Sequence, residues 1–214
     1  TCGVLDEKDI APVSSELEGI VAMDAVFDNR WVKKLDGKRV KNLDSKWDQA
    51  QALMADIEKF RVDNECDRLI MVWCGSTEAF QEASAVHESV DSFEAGLKSN
   101  DENTAPNQIY AYASIMSGVP FANGAPNLAL DIPCMVELAK SRGVPVAGKD
   151  FKTGQTLMKT LLAPGLKARM LGLRGWFSTN ILGNRDGEVL DDPDNFKTKE
   201  VSKLGVLDTI LQPD

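Results

Sequence analysis

The feature that most constrains the fold is a continuous apolar segment of strand length, from Arg68 to Cys74. Segments of this kind usually lie inside a parallel sheet, where helices cover both faces. The residues that follow, Gly75 to Glu78, predict a turn that opens the next helix. Because a buried parallel strand needs helices on its crossovers, the flanking segments should be helical.

Helical patterns do flank this strand. Ser45 can cap a helix in which apolar residues recur every three or four positions as far as Phe60. Gly143 fits the end of a later helix that contains Pro133, and residues 144–148 form the next strand. The helix that contains Pro133 is predicted at 127–142, and two further helices are predicted at 89–97 and 106–116. Alternating helices and buried strands from about residue 45 to 156 predict an α/β fold with a doubly wound parallel sheet.

The pattern changes after a helix at 154–163. Residues 170–179 partly alternate between apolar and polar, which predicts a strand covered on one face. Asp191 to Asp194 predicts a turn and a cap for a lysine-bearing helix. We therefore place a domain boundary near Gln155.

Charge and composition exclude several classes of function. The chain has 214 residues and a net charge of −9, with 33 acidic against 24 basic side chains, which argues against a nucleic-acid or anionic-membrane surface. No apolar run has the length of a membrane span, and no secretory signal is present. The four cysteines have no C-x-x-C spacing and no neighbouring histidine, so we expect reduced thiols in a cytoplasmic protein and no metal site.

Three polar blocks between apolar segments carry the functional signal: 148–156, 180–187 and 196–203. In the first, a hydroxyl, a glycine and an amide lie at a strand-to-helix junction, where backbone N–H groups and the helix dipole favour an anion. In the third, Lys199 and Lys203 are four residues apart and share a helix face, where they repel each other unless an anionic ligand lies between them. The blocks together predict a site for a phosphorylated small molecule.

The same blocks resemble the myo-inositol-1-phosphate synthase family. Asp-Phe-Lys-Thr-Gly-Gln-Thr (150–156) is similar to the family's DFK(S/T)GQT, Leu-Gly-Asn-Arg-Asp-Gly (182–187) to LGNNDG, and Phe-Lys-Thr-Lys-Glu-Val-Ser-Lys (196–203) to F(R/K)SKE(I/V)SK. Upstream, residues 73–78 resemble WTANTE and residues 118–127 resemble GCPYINGSPQN. The matching blocks occur in the family's order across about residues 68–208.

The resemblance implies a fold, a reaction and an assembly. Residues 1–155 would be the later half of a Rossmann-like NAD-binding domain, and 156–214 the start of an α+β catalytic and tetramerisation domain. The family converts glucose 6-phosphate to inositol phosphate, for inositol and phospholipid biosynthesis, by oxidation with NAD, enolisation, ring closure and re-reduction. The family's glycine-rich NAD loop would precede Thr1 and a strand bearing lysine and aspartate would follow Asp214, so the segment alone is expected to be inactive.

The resemblance also assigns roles to residues. Lys199 would transfer a proton or stabilise an oxyanion, and Lys203 would hold the phosphate with Thr153, Gly154 and Gln155. Asp186, Asn184 and Asn180 would orient sugar hydroxyls, while Lys152 and Asp150 would lie between cofactor and substrate. The other residues expected beside NAD are Cys74, Gly75, Ser76, Thr77, Asn123 and Gly124.

The sequence departs from the family pattern in three places, and two of them, at Arg185 and Ile181, keep a non-catalytic function open. Cys-Gly-Ser (74–76) replaces Thr-Ala-Asn, Arg185 replaces an asparagine, and Ile181 replaces a histidine. One alternative is another NAD-dependent two-domain dehydrogenase, which would produce NADH. The other is a non-catalytic protein that binds sugar phosphates.

Overall fold

A computed structural model describes residues 5–152, 154–177 and 185–212. Three strands are β1 (Met71–Trp73), β2 (Phe121–Asn123) and β3 (Val146–Gly148). The helices are α1 (Glu7–Ile10), α2 (Ser14–Gly19), α3 (Lys46–Asp63), α4 (Val90–Ser99), α5 (Pro106–Met116), α6 (Pro133–Arg142), α7 (Gln155–Ala168), α8 (Asp186–Leu190) and α9 (Pro193–Leu211), with 3₁₀ turns at Ala11–Val13 and Ala85–His87.

The strands form one parallel sheet in the order β1-β2-β3. Trp73 is in register with Asn123, and Asn123 with Gly148, so the carboxyl ends of the strands meet at one edge. Helices α4 and α5 connect β1 to β2, and α6 connects β2 to β3. The predicted α/β fold with a parallel sheet is confirmed.

The core lies where α3, α4, α5 and α6 pack together beside the sheet. Ser45 caps α3 by accepting a hydrogen bond from the Asp48 backbone N–H, as its position predicted. Tyr112 in α5 is fully buried and contacts the ring of Phe93, at a centroid distance of 5.7 Å. Other large buried side chains of this core are Leu97, Ile109, Ile115, Phe121, Ile132 and Met135.

Helix α6 starts later than the sequence pattern predicts. Residues 127–132 are bends, and the helix begins at Pro133 rather than at Asn127. Proline lacks an N–H and favours the first helical position, and it keeps the preceding residue, Ile132, in an extended conformation. The helix ends as predicted, with Gly143 at a φ of 65°.

The segment after β1 does not open a helix. Residues 74–84 have no regular structure, because their polar groups bond to other parts of the chain. The Glu78 N–H donates to Asn127 Oδ1 at 2.9 Å, and the Thr77 carbonyl accepts from Asn195 Nδ2 at 2.8 Å. The prediction of a turn at 75–78 that starts the next helix was therefore wrong.

The expectation that β1 is covered on both faces was also wrong for the described chain. Ile70 and Val72 are 70% and 50% exposed, and β1 lies at the edge of the described sheet. The apolar segment therefore contains a strand, as predicted, but some of its side chains are exposed to solvent and no described strand pairs with its outer edge.

The strand predicted at 170–179 is absent from its described part, since 171–177 has no regular structure. Met170 has a φ of 55°, which interrupts an extended chain, and no neighbouring strand pairs with this segment among the described residues. The lysine-bearing helix α9 is present, and the Asp192 carboxylate caps it by accepting from the N–H groups of Asp194 and Asn195.

Candidate active site

The carboxyl edge of the sheet is open at β1. Cys74 and Gly75 are exposed and Ser76 is half-buried, whereas Thr77 is buried. Parallel α/β sheets place their ligands at this edge, and small exposed groups allow a cofactor to approach the backbone. These residues therefore fit a dinucleotide cofactor.

Asn123, at the end of β2, is part of the scaffold of this edge. Its side chain is 2% exposed, with Nδ2 donating to the Asn127 carbonyl at 3.0 Å and Oδ1 accepting from the Ala125 N–H at 3.1 Å. Asn127 Nδ2 in turn donates to the Ser76 carbonyl at 3.2 Å. Asn123 thus fixes the loop after β2 against the loop after β1.

Gly124 permits the chain after β3 to cross this edge. A Cβ at this position would lie 2.5 Å from the Phe151 ring and 2.7 Å from the Trp73 carbonyl oxygen. The Phe151 N–H donates to the Gly124 carbonyl at 3.0 Å, and the Asp150 N–H donates to the Asn123 and Ala125 carbonyls. Gly124 is needed because backbone and ring leave no room for a side chain.

Asp150 bonds to two lysines and a serine of the site. Its side chain is 7% exposed, and its φ is 63°. Its Oδ2 lies 2.8 Å from Lys203 Nζ and 3.4 Å from Lys152 Nζ, and it accepts a hydrogen bond from Ser202 Oγ at 2.9 Å. Asp150 therefore ties the loop after β3 to the middle of α9.

The surroundings of Lys199 and Lys203 differ. Lys203 also donates to the Phe151 carbonyl at 3.1 Å, whereas half-buried Lys199 has no hydrogen bond or ion pair within the described part of the chain. The sequence predicted an anionic ligand between the two ammonium groups. In the structure a side chain of the protein, Asp150, pairs with Lys203 and offsets the repulsion.

Helix α7 packs against α9 and adds a lysine that sequence reasoning did not single out. Lys159 is 3% exposed, and its Nζ donates to the backbone carbonyl of Lys203 at 2.6 Å. Burial lowers the pKa of Lys159, and the charges of Lys203 and Lys152 lower it further. The sequence signal that could have identified Lys159 is its position six residues after Thr153, on the helix that begins in the first polar block.

The remaining predicted substrate residues are placed in part. Gly154 precedes α7 with a φ of 52°, Gln155 is its first residue, and half-buried Asp186 is the first residue of α8. Arg185 pairs with Glu188, so its extra charge is engaged within its own helix. Thr153, Asn180, Ile181 and Asn184 lie outside the described residues.

Glu78 connects the loop after β1 to the core helix α5. It is the last residue of the motif at 73–78, and the sequence alone assigned it no role. It is 2% exposed, its Oε1 accepts from the Asn107 N–H at 2.9 Å, and its Oε2 has no partner among the described residues. Burial raises the pKa of Glu78 to about 8, and the charge of Asp28 adds to the rise, against the Asn107 hydrogen bond. Burial thus favours the neutral form of this carboxyl group, which lies at the first turn of α5.

Asn195 connects the lysine helix to the loop after β1. It is fully buried in the first turns of α9, and its Nδ2 donates to the carbonyls of Thr77 and Trp31, both at 2.8 Å. The loop expected beside the cofactor and the helix that carries Lys199 and Lys203 are therefore fixed to each other.

No group of three or more His, Cys, Asp or Glu side chains in the described ranges could hold a metal ion. Across the same ranges, the helices are too short or too polar to cross a membrane.

Known proteins match most of this chain. A sequence model of the myo-inositol-1-phosphate synthase NAD-binding domain matches residues 1–206. Inositol-3-phosphate synthase 1 of Bacteroides thetaiotaomicron is 53% identical over 99% of this chain and 49% of its own length. The yeast enzyme, from Saccharomyces cerevisiae, is 37% identical over 83% of this chain and 33% of its own length.

A solved structure agrees. The crystal structure of inositol-3-phosphate synthase from Caenorhabditis elegans matches with a TM-score of 0.88 and 29% identity, covering 99% of this chain and 42% of that one. The chain thus spans between a third and a half of the length of the curated relatives it matches. The match to the NAD-binding model supports NAD as the cofactor. On this evidence the chain belongs to the myo-inositol-1-phosphate synthase family.

Proposed function

We propose that this protein acts as an inositol-3-phosphate synthase, an isomerase that converts D-glucose 6-phosphate to 1D-myo-inositol 3-phosphate. The observation that carries the proposal is the bonding of Asp150 to Lys152, Ser202 and Lys203, which brings the lysine helix to the cofactor edge of the sheet. The pathway role would be inositol and phospholipid biosynthesis in the cytoplasm.

NAD, held beside Cys74, Gly75 and Ser76, would supply reversible hydride chemistry at C5 of the sugar, so that the net reaction would be an isomerisation. The chain's own residues handle protons and charge. Lys199, whose ammonium has no partner in the described structure, is assigned to the proton at C6 or to the oxyanion that forms as the ring closes. A compact ammonium suits both tasks.

The phosphate group is assigned to Lys203 and the start of α7. The Lys203 ammonium has three donors, of which Asp150 and the Phe151 carbonyl take two. The third donor is assigned to a phosphate oxygen, and Thr153, Gly154 and Gln155 are assigned to the same phosphate group. The 14-residue helix α7 adds its dipole at this end.

The remaining roles complete the site. Asp186, Asn180 and Asn184 would orient sugar hydroxyls, and Lys152 with Asp150 would lie between cofactor and sugar. Asn123, Gly124 and Thr77 would shape the cofactor edge, because their own groups are buried or crowded. Cys74 and Gly75 are exposed at that edge, and Ser76 is half-buried.

The proposal extends to the assembly. Residues 1–155 would belong to the NAD-binding domain and 156–214 to the catalytic domain, whose packing forms a homotetramer. Helix α7 packs against α9, whereas helices α3 to α6 pack against one another, and this separation supports the division.

Phosphorus NMR of the full-length protein with glucose 6-phosphate and NAD tests the function. The expected result is a new inositol phosphate resonance, with no net absorbance growth at the nicotinamide band. Net NADH would instead support a dehydrogenase. Saturable sugar phosphate binding without product would favour the non-catalytic alternative, which the departures at Arg185 and Ile181 kept open.

A further inference from the structure

Lys159 is a buried ammonium with no carboxylate partner among the described residues. It is 3% exposed, and its neighbours among the described residues are the Lys203 carbonyl, at 2.6 Å from Nζ, and the ring of Trp176, whose centroid is 5.9 Å away. Burying a charge without a counter-ion is unfavourable, and a methionine of similar length would avoid that cost. A lysine at this position therefore opposes stability and needs another explanation.

The cluster around Lys159 has an excess of positive charge. Asp150 pairs with Lys152 and Lys203, and Lys159 donates to the Lys203 backbone carbonyl, so the three lysines have one carboxylate, Asp150, among their bonded partners in the described structure. A net positive cluster in a partly buried site favours a dianionic group such as a phosphate.

The contact of Lys159 is also directional. The carbonyl that it binds belongs to the turn of α9 that carries the Lys203 side chain, and Lys203 reaches from there to Asp150 and the Phe151 carbonyl. Lys159 thus fixes the backbone of Lys203 from α7, while Asp150 fixes its ammonium from the loop after β3.

We propose that Lys159 is a positioning residue of the substrate site, which holds the Lys203 turn of α9 and supplies uncompensated positive charge for the phosphate of a phosphorylated sugar. This inference rests on the proposed function for its choice of substrate. Its chemistry, the attraction of a phosphate group, can be measured separately from turnover.

Calorimetric titration of the full-length, NAD-loaded protein with glucose 6-phosphate, and separately with inorganic phosphate, tests the inference. Lys159→Met should weaken both affinities by about tenfold, because one charge and one donor are lost. The melting temperature of the variant should be equal to or above that of the wild type, and its affinity for NAD unchanged. Lys159→Arg, which keeps the charge, should recover most of the affinity.

Lys167→Met is the matched control. Lys167 lies on the same helix but is exposed and bonds to Gln212 Oε1, so its loss should leave both affinities unchanged. If Lys159→Met does not fold, Lys159→Gln removes the charge while keeping a polar group, and the same loss of affinity is expected.

Two outcomes would overturn the inference: wild-type phosphate affinity in the uncharged variants, or a fall in melting temperature and NAD affinity that parallels the loss, which is the mark of a structural role. Turnover of the wild type is measured in parallel. A wild type that turns over while Lys159→Met binds normally refutes the inference alone. A wild type that binds phosphate through Lys159 without turnover refutes the proposed function alone.

Discussion

Lys199 and Lys203 occupy one helix face, but only one of them is engaged by the protein. Lys203 contacts Asp150, whereas Lys199 has neither a hydrogen bond nor an ion pair within the described residues. An amine that the fold does not use can be removed at little cost to stability. Its loss should therefore appear in the chemistry alone.

Lys199→Ala should lower kcat by about 10²–10³, the usual cost of removing one preorganised charge-stabilising group. The free energy of unfolding should stay within about 0.5 kcal/mol of the wild type. Turnover is followed by phosphorus NMR and stability by urea denaturation. The control is Lys197→Ala, at a position on the same helix where the ammonium lies over the Phe80 ring. Wild-type turnover in Lys199→Ala would refute the assigned role.

Glu78 gives a prediction about pH. Burial raises its pKa from near 4.5 to about 8, so between these values the folded protein binds a proton that the unfolded chain has lost. This group therefore stabilises the fold at low pH, and its contribution falls as pH rises towards 8. Glu78→Gln mimics the neutral form and should remove that loss.

We expect the Glu78→Gln protein to be more stable than the wild type near pH 8, and the difference to shrink near pH 5. A gain of ~1 kcal/mol would raise the melting temperature by about 2–4 °C. Urea denaturation at both pH values measures the effect, with exposed Glu102→Gln as the control. Equal pH slopes for Glu78→Gln and wild type would show that Glu78 is ionised in the fold.

At the level of elements, the sequence predicted the ends of a helix correctly where a single local residue determines where the helix begins. Helix α5 runs from Pro106 to Met116 as predicted, because proline at the first position and the apolar spacing agree. The strand expected at 170–179 depended on alternation alone, and no partner strand exists in the described chain to pair with it. Alternation describes which side chains could be buried, but pairing decides whether a strand forms.

Packing between elements makes Gly124 sensitive to substitution. Gly124→Ala would place a Cβ 2.5 Å from the Phe151 ring and 2.7 Å from the Trp73 carbonyl, so the segment that carries Asp150 must shift. We expect a loss of about 1–3 kcal/mol in unfolding free energy, measured by urea denaturation.

Gly165→Ala is the matched control for that change. A Cβ at Gly165 meets nothing within 4 Å, and the position lies inside α7, so alanine should be neutral or stabilise by about 0.5–1 kcal/mol. Similar losses in the two variants would show that the crowding at the strand ends is not the cause.

For the whole molecule, sequence reasoning found the participants of the site but not their connections. The polar blocks supplied Asp150, Lys152 and Lys203, and a single sequence could place two of them on one loop. The ion pair between Asp150 and Lys203 depends on how α9 packs against the loops after β1 and β3, which local patterns do not encode. Lys159 and Glu78 were missed for the same reason, since burial gives each its unusual environment.

The distribution of apolar surface gives the last prediction. Leu157 and Leu161 lie four residues apart on α7 and are 60% and 63% exposed, while Ile70, just before β1, and Val72, within β1, are also exposed. Contiguous exposed apolar patches drive association in water, and an open strand edge adds unpaired backbone groups. The curated relatives are about 2 to 2.5 times as long as this chain, which is enough further polypeptide to cover both surfaces.

The 214-residue chain expressed alone should therefore self-associate and bind a hydrophobic dye more strongly than a full-length relative does. Sedimentation velocity over a concentration series measures association, and dye fluorescence measures exposed apolar surface. Replacing Leu157 and Leu161 together with lysine should reduce both signals, because the α7 face becomes charged. A wild-type chain that stays monomeric without dye binding would mean that these surfaces are covered within the segment itself.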